Sequence, residues 1–224
     1  MPSPDTLLIL FVKHPRRGEV KTRLAAGIGE ARALEVYRAL LAHLRVVATP
    51  VAADKVVFYG NEVPKQDLWV ETGWPRILQQ GADLGARMAQ AFAWGFARDY
   101  QRIALVGSDL PHLSQAILEE AFGQLQAHPA VLGPAADGGY YLIGLTRPVP
   151  AVFANMAWST PQVAQETRRR LAAAGLSCGS LPVLSDLDTV EDLTGTFLED
   201  FLPQHEPAPK KNVPAPVTKP KPSE

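Results

Sequence analysis

The chain of 224 residues carries 22 Lys and Arg against 23 Asp and Glu, which gives a formal net charge of −1 at pH 7. General nucleic-acid-binding proteins normally show a basic excess, so this balance argues against that class. Hydrophobic residues make up 46% and charged residues 20% of the chain, as in an ordinary globular protein. The one cysteine, Cys178, excludes an intrachain disulfide and fits a reducing compartment.

The first predicted element is a strand at residues 7–12, where six apolar residues follow one another. A continuous run of this kind is typical of a strand that is buried on both faces. The run is too short to span a membrane, and no basic segment precedes it as in a signal peptide. We therefore predict a soluble, cytoplasmic protein without a membrane span.

Strand and helix patterns alternate along the rest of the chain. Apolar residues at helical spacing indicate helices, whereas short apolar or β-branched runs indicate strands. The predicted elements are a helix over 30–48, a strand over 55–59, a helix over 83–100, a strand over 102–106, a helix from the Ser114 cap to about 127, strands over 130–133 and 140–145, a helix from Ser159-Thr160-Pro161 to about 174, a strand over 180–184 and a final helix from Thr189. This alternation predicts an α/β fold with a mainly parallel sheet, in one domain over residues 1–202.

The last 22 residues have a different composition. Seven of the 20 prolines and four lysines fall in residues 203–224, which contain no aromatic side chain. Such a segment cannot bury enough apolar surface to offset the entropy that it would lose on ordering. We predict that residues 203–224 form a disordered tail.

Ligands of parallel α/β sheets bind beyond the carboxyl ends of the strands, so the loops at those ends are the candidate sites. The loop after the first strand, Lys13–Leu24, holds five Lys or Arg residues and one acid. This charge predicts an anion-binding loop, although a solvated charged loop remains an alternative. The loop is not a P-loop, because Val20 and Pro15 stand where that motif has glycines.

Acidic residues follow two later strands. Asp109 comes directly after the strand at 102–106, and Asp186 and Asp188 follow the last predicted strand. Carboxylates suit Mg²⁺, which takes one or two of them together with phosphate oxygens. Taken alone, however, an Asp after a strand such as Asp109 is more often a turn or cap residue. If the basic first loop and the acidic last loop meet at one sheet edge, they form a single phosphate–metal site.

Two more segments are candidate ligand contacts. The paired glycines of Asp137–Gly139 permit a close backbone approach to a ligand, or simply a tight turn. Gln80 and Asp83 precede a predicted helix, where they could read a nucleobase edge or cap the helix. The five histidines show no metal-binding spacing, and we find no arrangement for nucleophilic catalysis.

In their order, these motifs resemble those of the bacterial GT-A-type glycosyltransferase family also described as selenodomain-associated transferase 1. The resemblance covers about residues 5–200 and extends more distantly to 2-phospho-L-lactate guanylyltransferase and molybdenum-cofactor nucleotidyltransferases. The matching segments are K-x-P-x-x-G-x-V-K-T-R-L (Lys13–Leu24), Q-x-G-x-D-L-G-x-R-M from Gln79 or shifted onto Gln80, G-S-D-L-P (Gly107–Pro111), D-G-G-Y-Y-L-I-G-L (Asp137–Leu145), W-S-T (Trp158–Thr160) and D-L-D-T-x-E-D-L (Asp186–Leu193).

The resemblance implies a nucleotide-diphospho-sugar transferase fold, a three-layer α/β/α sandwich, and a distribution of roles over this chain. It implies Mg²⁺ or Mn²⁺ on Asp109 and Asp188, and Lys21 as a phosphate-binding and catalytic residue. The other implied nucleotide contacts are Lys13, Thr22, Arg23, Gln80, Asp83 and Arg87. We further expect the acceptor to contact the turn of Asp137, Gly138 and Gly139 and the predicted helix start at Ser159 and Thr160, whose N–H groups favour an anion, with Asp137 as the candidate general base.

The implied activity is a Mg²⁺-dependent glycosyl transfer from a nucleotide sugar to an unknown acceptor. One alternative is nucleotidyl transfer from a nucleoside triphosphate to a small phosphorylated acceptor with release of pyrophosphate. The departures from the family pattern leave both open, since Pro15 and two arginines replace the glycine-rich loop of the nucleotidyltransferases. Another alternative is a nucleotide-binding module without catalysis. The expected partner is a nucleotide or nucleotide sugar, with the oligomeric state left open.

Overall fold

The computed structural model describes residues 5–203. Its strands are β1 (Thr6–Val12), β2 (Asp54–Tyr59), β3 (Arg76–Leu78), β4 (Arg102–Val106), β5 (Ala130–Pro134), β6 (Tyr140–Leu145) and β7 (Cys178–Ser180). Its helices are α1 (Thr22–Ile28), α2 (Glu30–Ala48), α3 (Leu84–Phe96), α4 (Gln115–Ala127) and α5 (Val163–Ala173). The predicted tail, apart from Pro203, lies outside the described residues.

The seven strands form one sheet in the order β3-β2-β1-β4-β6-β5-β7. The pairs β1–β2, β1–β4, β2–β3 and β5–β7 are parallel, whereas β6 runs antiparallel to both of its neighbours. The predicted α/β class with a mostly parallel sheet is therefore confirmed. The reversal of β6 brings its first residues to the edge where the neighbouring strands end.

Helices cover both faces of the sheet because successive strand side chains point in opposite directions. On β1, Leu8 and Leu10 pack into the apolar cluster that also holds residues of α2 and α4. Leu7 and Ile9 pack into the opposite cluster, with residues of α3 and α5. This arrangement gives the three layers of an α/β/α sandwich.

The predicted helix over 30–48 and the predicted strands over 102–106 and 140–145 match α2, β4 and β6. The last predicted strand is misplaced, since β7 occupies residues 178–180. The final predicted helix is reduced to a single 3-10 turn at Glu191–Leu193. Beyond β7 the chain still runs beside β5, where Leu181 N donates to Leu132 O and Leu184 forms an isolated parallel bridge with Ala135, but it is no longer a regular strand. The residues from Leu187 onward then pack over α1 and α2, so the α/β alternation does not continue.

The predicted start of α5 at Ser159-Thr160-Pro161 is wrong. Ser159 has a left-handed backbone (φ 61°), and the hydroxyl of Thr160 donates to Ala157 O at 2.8 Å without capping a helix. The helix begins at Val163, and no side chain caps its N-terminus. Residues 159–161 therefore form a turn against the sheet edge.

The segment after β7 packs on the first two helices. Leu187, Leu193 and Leu198 lie in one buried cluster with Leu24 of α1 and Val36 of α2. The backbone N–H of Leu187 also donates to Asp109 O at 2.8 Å. These contacts hold the acidic segment at the same sheet edge as the loops after β1 and β4. Within residues 5–203, no helix is both long and apolar enough to cross a membrane.

Candidate active site

A cleft of about 560 Å³ lies at the edge where the parallel strands end. The loops after β1, β2, β3, β4 and β5 and the start of β6 all contribute to its wall. Its charged lining residues are Lys13, Lys21, Arg87, Asp109, Asp137 and Asp186. Side chains that are far apart in the sequence thus meet at one place because of the sheet topology.

Lys21 lies at the centre of the charged part of the cleft. It immediately precedes α1 with a left-handed backbone (φ 50°), and its side chain is only 3% exposed. Its Nζ lies 3.0 Å from Asp109 Oδ2 and 3.6 Å from Asp188 Oδ1. Nζ also donates to the backbone oxygen of Leu187. One ammonium group therefore joins the loop after β1, the loop after β4 and the acidic segment.

The chemistry of this donor set fits a hard divalent cation. Asp109 and Asp188 offer carboxylate oxygens, each side chain is 41% exposed, and both converge on one point. Among the described residues no three His, Cys, Asp or Glu side chains form a metal-binding group. Two carboxylates are nevertheless sufficient for Mg²⁺ when phosphate oxygens and water complete its coordination.

Asp186 is a site residue that the sequence-based assignment left out. It lines the cleft, whereas Asp188 does not. Burial, followed by the charges of Asp109, Asp137 and Asp188, raises the pKa of Asp186 to about 7, although Lys21 opposes the shift. The Asp186-Leu187-Asp188 pattern signalled two carboxylates on one side of the chain, but not which of them is buried.

The other cations of the first loop are bound to acids outside the cleft. Arg16 pairs with Glu19 and Glu62, and Arg17 pairs with Glu30. Arg16 and Arg17 therefore contribute to the positive charge of the loop but are paired with acidic side chains and do not line the cleft.

Arg23 and Lys13, two further cations of the loop, differ in whether an acidic side chain pairs with them. Arg23 is 76% exposed and lies 3.2 Å from Asp188 Oδ2. Lys13 lines the cleft and has no acidic partner within 4.0 Å in residues 5–203. Lys13 is thus the loop cation that remains available to a ligand.

Tyr37 of α2 supports the loops from beneath the cleft. Its hydroxyl oxygen accepts a hydrogen bond from Lys13 N at 2.8 Å and lies 3.2 Å from Ser108 Oγ. Burial and the neighbouring charge of Asp109 raise the pKa of this phenol above its usual value. Tyr37 therefore stays neutral and fixes the loops after β1 and β4 relative to each other.

The β2–β3 end of the cleft carries polar side chains. Gln79 and Arg87 line it, and the Arg87 guanidinium donates to Gly81 O and Gly60 O at 3.2 and 3.4 Å. Gln80 is exposed and outside the lining, since Gln79 takes the inward position of this extended segment. Asp83 caps α3 by accepting from Ala86 N at 2.8 Å. Thr22, the first residue of α1, is also outside the lining.

At the opposite end, the turn between β5 and β6 meets the start of α5. Asp137 Oδ1 accepts from Gly139 N at 2.8 Å, and Gly138 O accepts from Ala164 N at 2.9 Å. Ser159 and Thr160 line the cleft beside this turn, whereas Gly138 lies behind it. The structure thus brings the predicted acceptor residues together.

Apolar side chains complete this end of the cleft. They are Leu84 and Met88 of α3, Tyr140 of β6, and Trp158 and Val163 near the start of α5. The rings of Tyr140 and Trp158 meet edge to face at 6.3 Å. The cleft therefore has a charged part around Lys21 and a largely apolar part around these two rings.

The likeness to solved structures identifies the chain as a transferase of the nucleotide-diphospho-sugar transferase fold. The crystal structure of a candidate nucleotide-diphospho-sugar transferase from Desulfovibrio desulfuricans G20 superposes with a TM-score of 0.78 at 34% identity, covering 86% of this chain and 85% of that one. The chain belongs to the family described as "Uncharacterized protein conserved in bacteria (DUF2064)", whose profile matches residues 40–160.

More distant structures share the fold alone. Rv0371c from Mycobacterium tuberculosis H37Rv has a TM-score of 0.52 at 16% identity, over 90% of this chain and 99% of that one. A structure of Rv0371c in complex with manganese has a TM-score of 0.51. The inositol-1-phosphate CTP transferase of T. maritima reaches 0.51 at 12% identity, over 90% of this chain and 96% of that one. No significant match was found among curated proteins.

Proposed function

We propose that the chain is a Mg²⁺-dependent glycosyltransferase that moves a sugar from a nucleotide-sugar donor to an uncharged acceptor. The observation that carries this proposal is the division of the cleft. Among the described lining residues, the cations and the carboxylates Asp109 and Asp186 lie around Lys21 and toward β2 and β3. The end around the rings of Tyr140 and Trp158 contributes one carboxylate, Asp137, and no cation. A charged donor and an uncharged acceptor would fit these two parts.

The donor diphosphate would lie between the loops after β1 and β4. Lys13 would bind its oxygens, and Asp109 and Asp188 would hold Mg²⁺. When bound, the metal would supply positive charge against the negative charge that develops on the leaving diphosphate. Gln79 and Arg87 would contact the nucleoside at the β2–β3 end.

The acceptor hydroxyl would approach from the turn between β5 and β6. Asp137 lines the cleft there, and one of its carboxylate oxygens is held by Gly139 N–H. This bond would orient the carboxylate so that its second oxygen takes the proton from the acceptor hydroxyl as a general base. Tyr140 and Trp158 would pack against the apolar part of the acceptor.

Nucleotidyl transfer to a phosphorylated acceptor fits this end of the cleft less well. The amides at the start of α5 are already used, since Val163 N donates to Thr160 O and Ala164 N to Gly138 O. Among the described residues that line the cleft, the cations are Lys13, Lys21 and Arg87, and none belongs to this end. A phosphate here would be left without compensating charge.

Phosphorus NMR tests the proposal directly. The protein with Mg²⁺ is incubated with UDP-, GDP-, ADP- and dTDP-sugars and, separately, with the four nucleoside triphosphates. We expect slow release of a nucleoside diphosphate from one sugar nucleotide. Release of pyrophosphate from a triphosphate would instead establish the nucleotidyltransferase alternative.

Asp109→Asn is the matched variant for this assay. Because Asp109 would hold the metal, we expect turnover to fall by about two to three orders of magnitude, as for loss of one group that stabilises developing charge. Nucleotide binding by both proteins without turnover by either would support a binding module and contradict the enzyme assignment.

A further inference from the structure

We infer that the ammonium group of Lys21 occupies the cation position between Asp109 and Asp188, so that Lys21 and a divalent metal compete for it. The inference rests on the proposed function for the identity of the competing ion. Its basis is the pair of contacts from one Nζ, 3.0 Å to Asp109 and 3.6 Å to Asp188. Lys21 is then a positioning residue that controls when the metal enters.

Burial argues that this contact is specific. The Lys21 side chain is 3% exposed, whereas surface lysines keep their ammonium groups in water. The left-handed backbone of Lys21 and the start of α1 direct the side chain inward. The Leu187 carbonyl accepts from the same Nζ, so acceptors from two separate loops surround it.

Because both are positively charged, the Lys21 ammonium and a divalent ion cannot occupy the position between Asp109 and Asp188 at the same time. A divalent ion between the carboxylates would lie within a few ångströms of the ammonium, and like charges at that distance repel strongly in a partly buried site. The two carboxylates that contact Lys21 also provide fewer ligands than Mg²⁺ takes, and in nucleotide-dependent enzymes water and the phosphate oxygens of the bound nucleotide complete the set. Those oxygens would also accept the displaced ammonium. Metal and donor should therefore bind together, with little metal bound beforehand.

Titration of the metal-free protein with Mn²⁺, followed by electron paramagnetic resonance of the free ion, tests the inference without any turnover. We expect Lys21→Met to bind Mn²⁺ about tenfold or more tightly than the wild type, because the competing charge is gone. Lys21→Gln is a second neutral variant that keeps a hydrogen-bond donor, and it should show the same direction. Circular dichroism confirms that each variant is folded.

Arg17→Met is the matched control. Arg17 belongs to the same loop and its removal changes the net charge equally, but it pairs with Glu30 at 3.1 Å and not with Asp109 or Asp188. Its Mn²⁺ affinity should stay within about twofold of the wild type, because exposed charges are well screened. Unchanged, weaker or absent Mn²⁺ binding in both Lys21 variants would overturn the inference. The donor assay would still decide the proposed function.

Discussion

Gly138 holds the two halves of the acceptor end together. Its backbone is left-handed (φ 89°), and a Cβ at this position would lie 2.1 Å from Pro161 O. Only glycine permits both this conformation and this approach. The turn between β5 and β6 therefore packs directly on the residues before α5.

We expect Gly138→Ala to lower the free energy of unfolding by about 2–4 kcal/mol, since backbone strain and a steric clash add together. Gly175→Ala is the control, because Gly175 is also left-handed (φ 70°) but a Cβ there would meet nothing within 4 Å. It should cost about 1 kcal/mol. Urea denaturation measures both, and equal losses would contradict the close packing of Gly138.

The position after a predicted strand identified the basic loop Lys13–Leu24 and Asp109 as candidates, and the family resemblance singled out Lys21 within that loop. The sequence did not identify Asp186 or Tyr37 as site residues. The burial of Asp186 depends on how residues 181–203 fold back, and Tyr37 belongs to the apolar stripe of α2. The spacing of Asp186 and Asp188 signals two carboxylates on one side of the chain but not the burial of Asp186, and Tyr37 leaves no local signal of its role in the site.

At the scale of elements, α3 packs closely on the chain that leads to α5. A Cβ on Gly85 would lie 2.5 Å from Phe153 O and 2.8 Å from Trp158 Cζ2. Gly85→Ala should therefore displace Trp158 and lower the free energy of unfolding by about 1–3 kcal/mol. Differential scanning calorimetry and tryptophan fluorescence report the two effects.

Gly123→Ala is the helical control for this substitution. Gly123 lies in α4, where a Cβ would meet nothing within 4 Å. The change should stabilise the protein by about 0.5–1 kcal/mol, because alanine is the better helix former. If Gly85→Ala also stabilised the protein, this result would contradict the close packing of α3 on Trp158.

An ion cluster on α5 fixes the same connecting segment. Arg169 and Arg170 both contact Glu166 at 2.7 Å, and Arg170 also donates to backbone oxygens of residues 151–155. These two arginines lower the pKa of Glu166 to about 2 from its usual 4.5. The lowered pKa means that the ionised carboxylate is favoured in the folded protein.

The stabilisation by Glu166 should therefore depend on pH. It is fully present above the usual pKa of 4.5 and is lost as the pH falls toward about 2. We expect Glu166→Gln to lower the melting temperature at pH 7. The difference from the wild type should shrink below pH 4.5 and approach zero near pH 2. A difference in melting temperature that grows on acidification would contradict this sign.

Element positions were predictable wherever the apolar pattern was long. The helix over 30–48 has five turns of consistent spacing, and tertiary contacts only reinforce it. In contrast, α1 and β3 were not predicted, because a seven-residue helix in a charged loop and a three-residue edge strand form through their neighbours. The predicted helix after Thr189 fails for the opposite reason, because its local signal is present but tertiary packing overrides it. Asp192 accepts from Thr189 N as in a helix cap, but the segment then packs on α1 and α2 and the helix does not continue.

For the whole molecule, residues 187–202 pack on α1 and α2, and the prediction that the chain forms one domain can be tested at this contact. Leu198 is 2% exposed within that contact. Leu198→Ala should lower the free energy of unfolding by about 2–5 kcal/mol, the usual cost of a cavity, and shift the whole transition. Circular dichroism and tryptophan fluorescence should give coincident denaturation curves. An early, separate phase in one signal would show that this segment unfolds independently.

The reversed direction of β6 bears on how the acceptor specificity of such a protein can diverge. Because β6 returns directly from the turn after β5, residues 135–141 supply much of the acceptor end from one short stretch of chain. The cation position, in contrast, depends on three loops that are distant in sequence. Under the proposed function, acceptor preference can therefore diverge through local substitutions while the donor machinery stays intact. Exchanging residues 135–141 between relatives should therefore alter acceptor specificity with few substitutions.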